Sequence, residues 1–212
     1  MKIKIALIFF FLTISVSYGQ YSWTKGELVL KNGDTLIGQI KLPMISKDLI
    51  AFNSKEKVKY RKNRKSKMVK YDEKLVSKII FRNSDSEIAY FEFIKTSRKK
   101  SGLFKIICSG NATLYARSVS LTTSTPMYMH GPNGGTWNHW HYSYFDFNEF
   151  YVLRESEEVA SPLITARISS SFKKRAMEYF SDCNQLVSKL KERIYIKDDI
   201  KDVVDEYNDC KS

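Results

Sequence analysis

His130, His139 and His141 are the only histidines of the chain, and all three fall in MYMHGPNGGTWNHWHYSYF, residues 127–145. On an extended segment, His139 and His141 would present their imidazoles to one face about 7 Å apart. His130, arriving from the other side of the segment, would supply a third ligand of a transition-metal site. A fourth is hard to find, because Asp146 has the opposite parity and Glu149 lies far down the same face. Met127 and Met129 would suit Cu(I) rather than zinc. The segment is equally rich in aromatics, and Trp137, Trp140, Tyr142 and Tyr144 would form a platform for a sugar or a peptide. The leading reading is structural: a long loop between two strands whose aromatics fold back over a sheet edge. No cofactor is expected, and a metal held by the histidines is the lesser alternative.

A second constellation is electrostatic. KEKVKYRKNRKSKMVK, residues 55–70, holds nine Lys or Arg against one Glu, and residues 55–100 hold 16 basic and 6 acidic residues. The chain as a whole carries a formal charge of +12, so most of its excess sits in this one stretch. The simplest reading is a lysine-rich hairpin whose solvated charges guard an edge strand against pairing. The sharper one is a contact for a polyanion, centred on Arg61, Lys62, Arg64 and Lys65, such as the sugar phosphates of an outer membrane or an acidic polysaccharide. No nucleic-acid module is recognisable, and nucleic acid is not expected as a partner.

Catalytic signatures are missing from the sequence. G-x-S-x-G and H-E-x-x-H do not occur, and GPNGGT lacks the Lys-Ser/Thr of a phosphate-binding loop. A non-enzymatic role is the expectation.

The elements that would position these residues begin after a leader. MKIKIALIFFFLTISVSYGQ has Lys2 and Lys4, an apolar run from Ile5 to about Val16, and small residues at Ser17 and Gly19. That is the layout of a cleaved signal peptide, residues 1–19, with an apolar run too short for a membrane span. The expected location is therefore exported, whether periplasmic, outer-envelope associated or secreted, with no transmembrane segment left after cleavage.

Residues 20–160 read as an antiparallel β domain. GELVLKNGDTLIGQIKL places Asn32-Gly33 between two β-rich runs, a strong hairpin signal because both turn residues tolerate positive φ. LIAFNS, VKYRK, KLVSKIIF, EIAYFEFI, LFKIIC, TLYARSV and YFDFNEFYVLR follow, so eight or nine strands joined mostly by short turns are expected. Such a sheet should be meandering, and rolled or partly closed. From Val119 to Tyr142 no alternation survives, which predicts the long loop. Residues 161–212 should form a C-terminal helical segment of three short helices of about 12 residues each, giving an α+β chain. Leu186, Val187, Leu190 and Ile194 make one helical stripe, and Ile200, Val203, Val204 and Tyr207 another. Ser181 or Asp182 would cap the second helix.

Those helices bear on the cysteines, Cys108, Cys183 and Cys210. Two antiparallel helices of equal length would bring Cys183, at the start of one, beside Cys210, at the end of the other, and an exported chain permits the bridge. Cys108, at the end of an apolar strand, reads as a small buried hydrophobe.

The leader ending in Gly-Gln, the GELVLKNGDTLIG hairpin, SGNATLY and the terminal FKKRAMEYFSDCNQLV…YNDC resemble a group of uncharacterised exported proteins of Gram-negative bacteria. The most specific part is YFSDCNQLV, residues 179–187. The resemblance implies an envelope or secreted location and no assigned activity, so it transfers no site residue. The function expected is that of an exported, non-catalytic binding or accessory protein of the cell envelope, its partner an unknown envelope protein or an anionic glycan. A metal-binding protein or metalloenzyme using the histidine segment is the alternative, and a polyanion-binding module through 55–70 the third.

Overall fold

The computed structural model of the chain describes residues 23–46, 49–50, 57–82, 88–130, 136–165 and 171–211, with side chains at all of these except 44–50 and 119–147. The expected leader and the NSDS turn at 83–86 lie outside the described residues.

Twelve strands are described where eight or nine were expected: β1 (Thr24–Leu30), β2 (Thr35–Lys41), β3 (Met44–Ser46), β4 (Leu49–Ile50), β5 (Val58–Arg61), β6 (Val69–Tyr71), β7 (Val76–Arg82), β8 (Ile88–Ser97), β9 (Lys100–Cys108), β10 (Ala112–His130), β11 (Thr136–Arg154) and β12 (Ser161–Ile164). They form one sheet in the order β12-β11-β10-β9-β8-β7-β1-β2-β5-β6, with β3 and β4 off this path. Among the described residues the sheet is antiparallel apart from a single parallel bridge, Ser118 to Leu49. Its path ends at β6 on one side and β12 on the other, so the sheet is open rather than closed.

The first hairpin forms where Asn32-Gly33 predicts it. Gly33 takes φ +94° and its N–H donates to the Leu30 carbonyl at 3.0 Å. Asn32 Oδ1 accepts from the Asp34 N–H at 3.1 Å, closing the turn from the side chain. Gly110, between β9 and β10, is required for a different reason. A Cβ there would lie 2.5 Å from Asn208, whose side chain comes in from the helices.

The expected long loop is a correction. β10 and β11 each run for 19 residues and pair one for one from Ala112↔Arg154 to His130↔Thr136. Thr122, Thr123, Thr125, Tyr142, Tyr144, Phe145 and Phe147 are β-branched or aromatic types that favour pleated backbone whether or not polarity alternates. Loss of alternation therefore did not mean loss of strand. At the base of this hairpin, the cross-strand pair Arg117 and Glu149 is buried, its side chains 6% and 7% exposed and joined at 3.1 Å. The Arg117 guanidinium also lies 4.5 Å from the centre of the Phe104 ring. Removal of either charge would strand the other in the sheet.

Three helices follow: α1 (Phe172–Tyr179), α2 (Asn184–Lys191) and, after a single 3-10 turn at Lys197–Asp199, α3 (Ile200–Cys210). They span 8, 8 and 11 residues, shorter than the apolar stripes suggested. Their stripes meet the sheet in one core, where Ala176, Phe180, Leu186, Leu190, Val203, Val204 and Tyr207 join Ala112, Leu114, Val152 and Leu163. A second core, with Leu28, Ile40, Val58, Val76, Ile79 and Leu103, lies at the other end of the sheet. Asn208 ties helix to strand by accepting from the Ala112 N–H at 2.8 Å and donating to its carbonyl at 3.1 Å.

The expected disulfide is present: Cys183 and Cys210 are bonded, with Cα atoms 6.4 Å apart. The expected cap is not. Cys183 occupies the N-cap of α2 without a side-chain hydrogen bond, because Asp182 is engaged elsewhere. Its carboxylate accepts from Arg154 Nη2 at 3.0 Å and from the Tyr207 hydroxyl at 3.0 Å. Burial would raise this carboxyl, but hydrogen bonds from Lys211 and Tyr207 and the Arg154 charge prevail and hold it below the ordinary range. Cys108 is free and half-buried rather than fully buried. Its site under α3 pushes the thiol up to about 12, first by burial and then by the hydrogen bond and charge of Asp205. Among the described residues no helix is long and apolar enough to cross a membrane.

Candidate functional site

The basic stretch forms the β5–β6 hairpin at one end of the sheet. β5 pairs with β2 only over Lys59–Arg61 against Gln39–Lys41. After Arg61 the chain leaves the ladder in a turn shaped by Asn63, whose Oδ1 accepts from the Lys65 N–H at 2.9 Å while its carbonyl accepts from the Ser66 N–H at 3.2 Å. The early departure leaves Ile37 and Gly38 of β2, paired with β1 on one side, beside a concavity on the other. Its volume is about 660 Å³, and it is lined by Lys25, Gly26, Ile37, Gly38, Gln39, Lys62, Asn63, Arg64 and Lys65.

Two contacts hold this wall. The Tyr60 ring crosses Gly38, where a Cβ would lie 2.7 Å from it, and the Tyr60 hydroxyl donates to the Ile37 carbonyl at 3.1 Å. Arg61 Nε donates to Gln39 Oε1 at 2.9 Å, and its guanidinium stacks 4.2 Å from the Trp23 ring. Of the four cations expected to meet a polyanion, Lys62, Arg64 and Lys65 line the cleft, whereas Arg61 braces β5 against β2. Lys25 joins the three from β1. It lay outside the basic run, and the only signal for it was register: the Asn32-Gly33 turn sets Lys25 opposite Gln39, the residue that pairs with Arg61.

The carboxylates nearest the cleft along the sheet are committed to other cations: Glu27, cross-strand from Ile37, is paired with Arg82 at 3.0 Å, and Glu92 with Lys78 at 3.0 Å. Among the described residues no carboxylate lines the cleft, and none is ion-paired with Lys25, Lys62, Arg64 or Lys65. Four positive charges around one concavity repel one another, and a bound anion relieves that repulsion. The described lining is made of ammonium and guanidinium groups, two amide side chains, an isoleucine and glycine backbone, which are groups that can hold an anion.

A second concavity of about 480 Å³ lies on the helices, among Gln185, Lys189, Tyr195, Asp202, Asp205, Glu206, Asp209 and Cys210. Two of its four carboxylates, Asp205 and Glu206, are ion-paired. Glu206 Oε2 accepts from Lys189 at 2.8 Å and from the Tyr195 hydroxyl at 2.6 Å. Burial would raise Glu206, but these two bonds outweigh it and lower the carboxyl. Asp205 is paired with Lys201.

The histidine and aromatic candidates lie on β10 and β11, in the stretch where side chains are outside the description. The ladder pairs His139 with Met127, His141 with Thr125, and His130 with Thr136. The ladder likewise pairs Trp140 with Pro126, Tyr142 with Ser124, Tyr144 with Thr122 and Trp137 with Met129. Among the residues whose side chains are described, no group of three or more His, Cys, Asp or Glu is placed to hold a metal ion. No protein-family model, curated protein or solved structure matches the chain.

Proposed function

We propose that the chain is an exported, non-catalytic binding protein of the cell envelope, and that it holds an anionic ligand in the cleft between β2 and the β5–β6 turn. The observation that carries this reading is the unneutralised cation set. Lys25, Lys62, Arg64 and Lys65 surround a cleft of about 660 Å³ with no carboxylate in its lining among the described residues. A charge run that only guards an edge strand has no need of a concavity or of a contribution from β1. The disulfide Cys183–Cys210 and the leader-like first 19 residues support export.

Chromatography on immobilised dextran sulfate tests the reading. The protein should be retained at low ionic strength and elute as salt shortens the Debye length to about 10 Å near 0.1 M. A Lys25→Ser/Lys62→Ser/Arg64→Ser/Lys65→Ser variant should pass through. If that variant is retained as strongly as the parent, the cleft is not the anion site.

A further inference from the structure

We infer that the ligand of this cleft is a phosphorylated amphiphile, with its phosphate among the cations and the start of its hydrocarbon chain against Ile37; this rests on the reading of the cleft as an anion site. The observation is Ile37 itself. It is 74% exposed, the highest value among the exposed large hydrophobic residues described. A single exposed aliphatic residue on a flat surface asks for no explanation. This one sits inside the concavity, between Gly26 and Gly38 backbone and the side chains of Lys25, Lys62, Arg64 and Lys65.

The composition of the lining then separates ligand classes. Lysine and arginine carry their charge at the end of a hydrocarbon stem, so the cleft offers an apolar layer of stems, isoleucine and glycine backbone alongside charged tips. A wholly hydrophilic polyanion would meet the tips and leave Ile37 in water. A phosphate ester with an alkyl chain satisfies both layers at once, and it is the chemistry of an anionic lipid. The volume of about 660 Å³ lies in the range of small-molecule sites, about 300–1,000 Å³. It admits a headgroup and the first part of a chain, and the open side lets the remainder stay in a membrane.

Binding of dioctanoyl phosphatidylglycerol below its micelle threshold, glycerol 3-phosphate and dextran sulfate to the purified protein separates the layers. Two variants are compared with the parent: Ile37→Ser, which alters an exposed side chain, and Lys62→Ser/Arg64→Ser/Lys65→Ser. The expected result is lipid binding at least about tenfold tighter than glycerol 3-phosphate. Ile37→Ser should weaken the lipid about tenfold and leave dextran sulfate within about twofold, while the charge variant weakens both. If dextran sulfate binds through the three cations but the lipid gains nothing over glycerol 3-phosphate, or ignores Ile37→Ser, the amphiphile inference is overturned and the anion site stands. If no anion responds to the charge variant, the anion site itself falls.

Discussion

Cutting the Cys183–Cys210 bridge should destabilise the helical segment and the sheet it packs on together. The two cysteines are 27 residues apart in sequence. In the chain-entropy treatment, closing a loop of that size restricts the unfolded chain by about 3.5 kcal/mol. For a chain of this length, that corresponds to a loss of roughly 7–14 °C in Tm. The two ends are not equivalent. Cys210 is exposed, whereas Cys183 is 1% exposed and belongs to the core shared by helices and sheet. Cys210→Ala therefore removes the cross-link alone, and Cys183→Ala/Cys210→Ala should cost about 1 kcal/mol more for the lost core sulfur. Differential scanning calorimetry of the parent and both variants, with near-UV circular dichroism as a second probe, measures this. Because Phe180, Leu190 and Val204 share a core with Leu114 and Val152, one transition should move as a whole. A Cys210→Ala midpoint within about 2 °C of the parent would refute the magnitude. A separate early transition for the helices would refute the shared core.

Asn208→Ala should destabilise by about 2 kcal/mol in denaturant melts, because it leaves both backbone groups of Ala112, a residue with no exposed surface, without their side-chain partner; a neutral effect would mean that α3 is not tied to β10 this way. The Cys108 thiol, raised to about 12, should react with a thiol reagent at pH 8 far more slowly in the folded protein than in denaturant, and equal rates would contradict its placement under α3. Asp182 and Glu206 have folded pKa values below their unfolded ones. Their stabilising contribution is thus fully present above the ordinary carboxylate range, about 3.9–4.3, and is lost as pH falls through the lowered values. Asp182→Asn/Glu206→Gln should flatten the fall of Tm between pH 5 and pH 2, and an unchanged slope would show that other carboxylates carry it.

Much of the fold could be read from local chemistry. Asn32-Gly33 marks its turn because few other pairs accept positive φ, and the helical stripes from Leu186 to Tyr207 announce a face that must be covered. The Cys183–Cys210 bridge followed from the order and pairing of those helices. Strand limits in β10 and β11 were hidden because the test for a strand was alternation, and residues 119–125 and 136–142 are rich in β-branched and aromatic types without alternating. Asp182 was read as a cap because its partners, Arg154, Tyr207 and Lys211, are remote in sequence. The cleft was half legible for the same reason. Lys62, Arg64 and Lys65 are a visible run, but Lys25 and Ile37 reach it only through the register of β1, β2 and β5. Arg61 looked like its neighbours and turned out to be a brace, a distinction that depends on Gln39 and Trp23 lying beside it.

The central claim is that Lys25, Lys62, Arg64 and Lys65 act together as the anion site. Acetylation footprinting by mass spectrometry, with and without dextran sulfate at low salt, addresses it residue by residue. The account predicts that Lys25, Lys62 and Lys65 are protected together by the polyanion, while Lys100 and Lys197, exposed elsewhere on the chain, are modified at unchanged rates. Protection spread evenly over all exposed lysines, or protection of 62 and 65 that leaves Lys25 untouched, would contradict it.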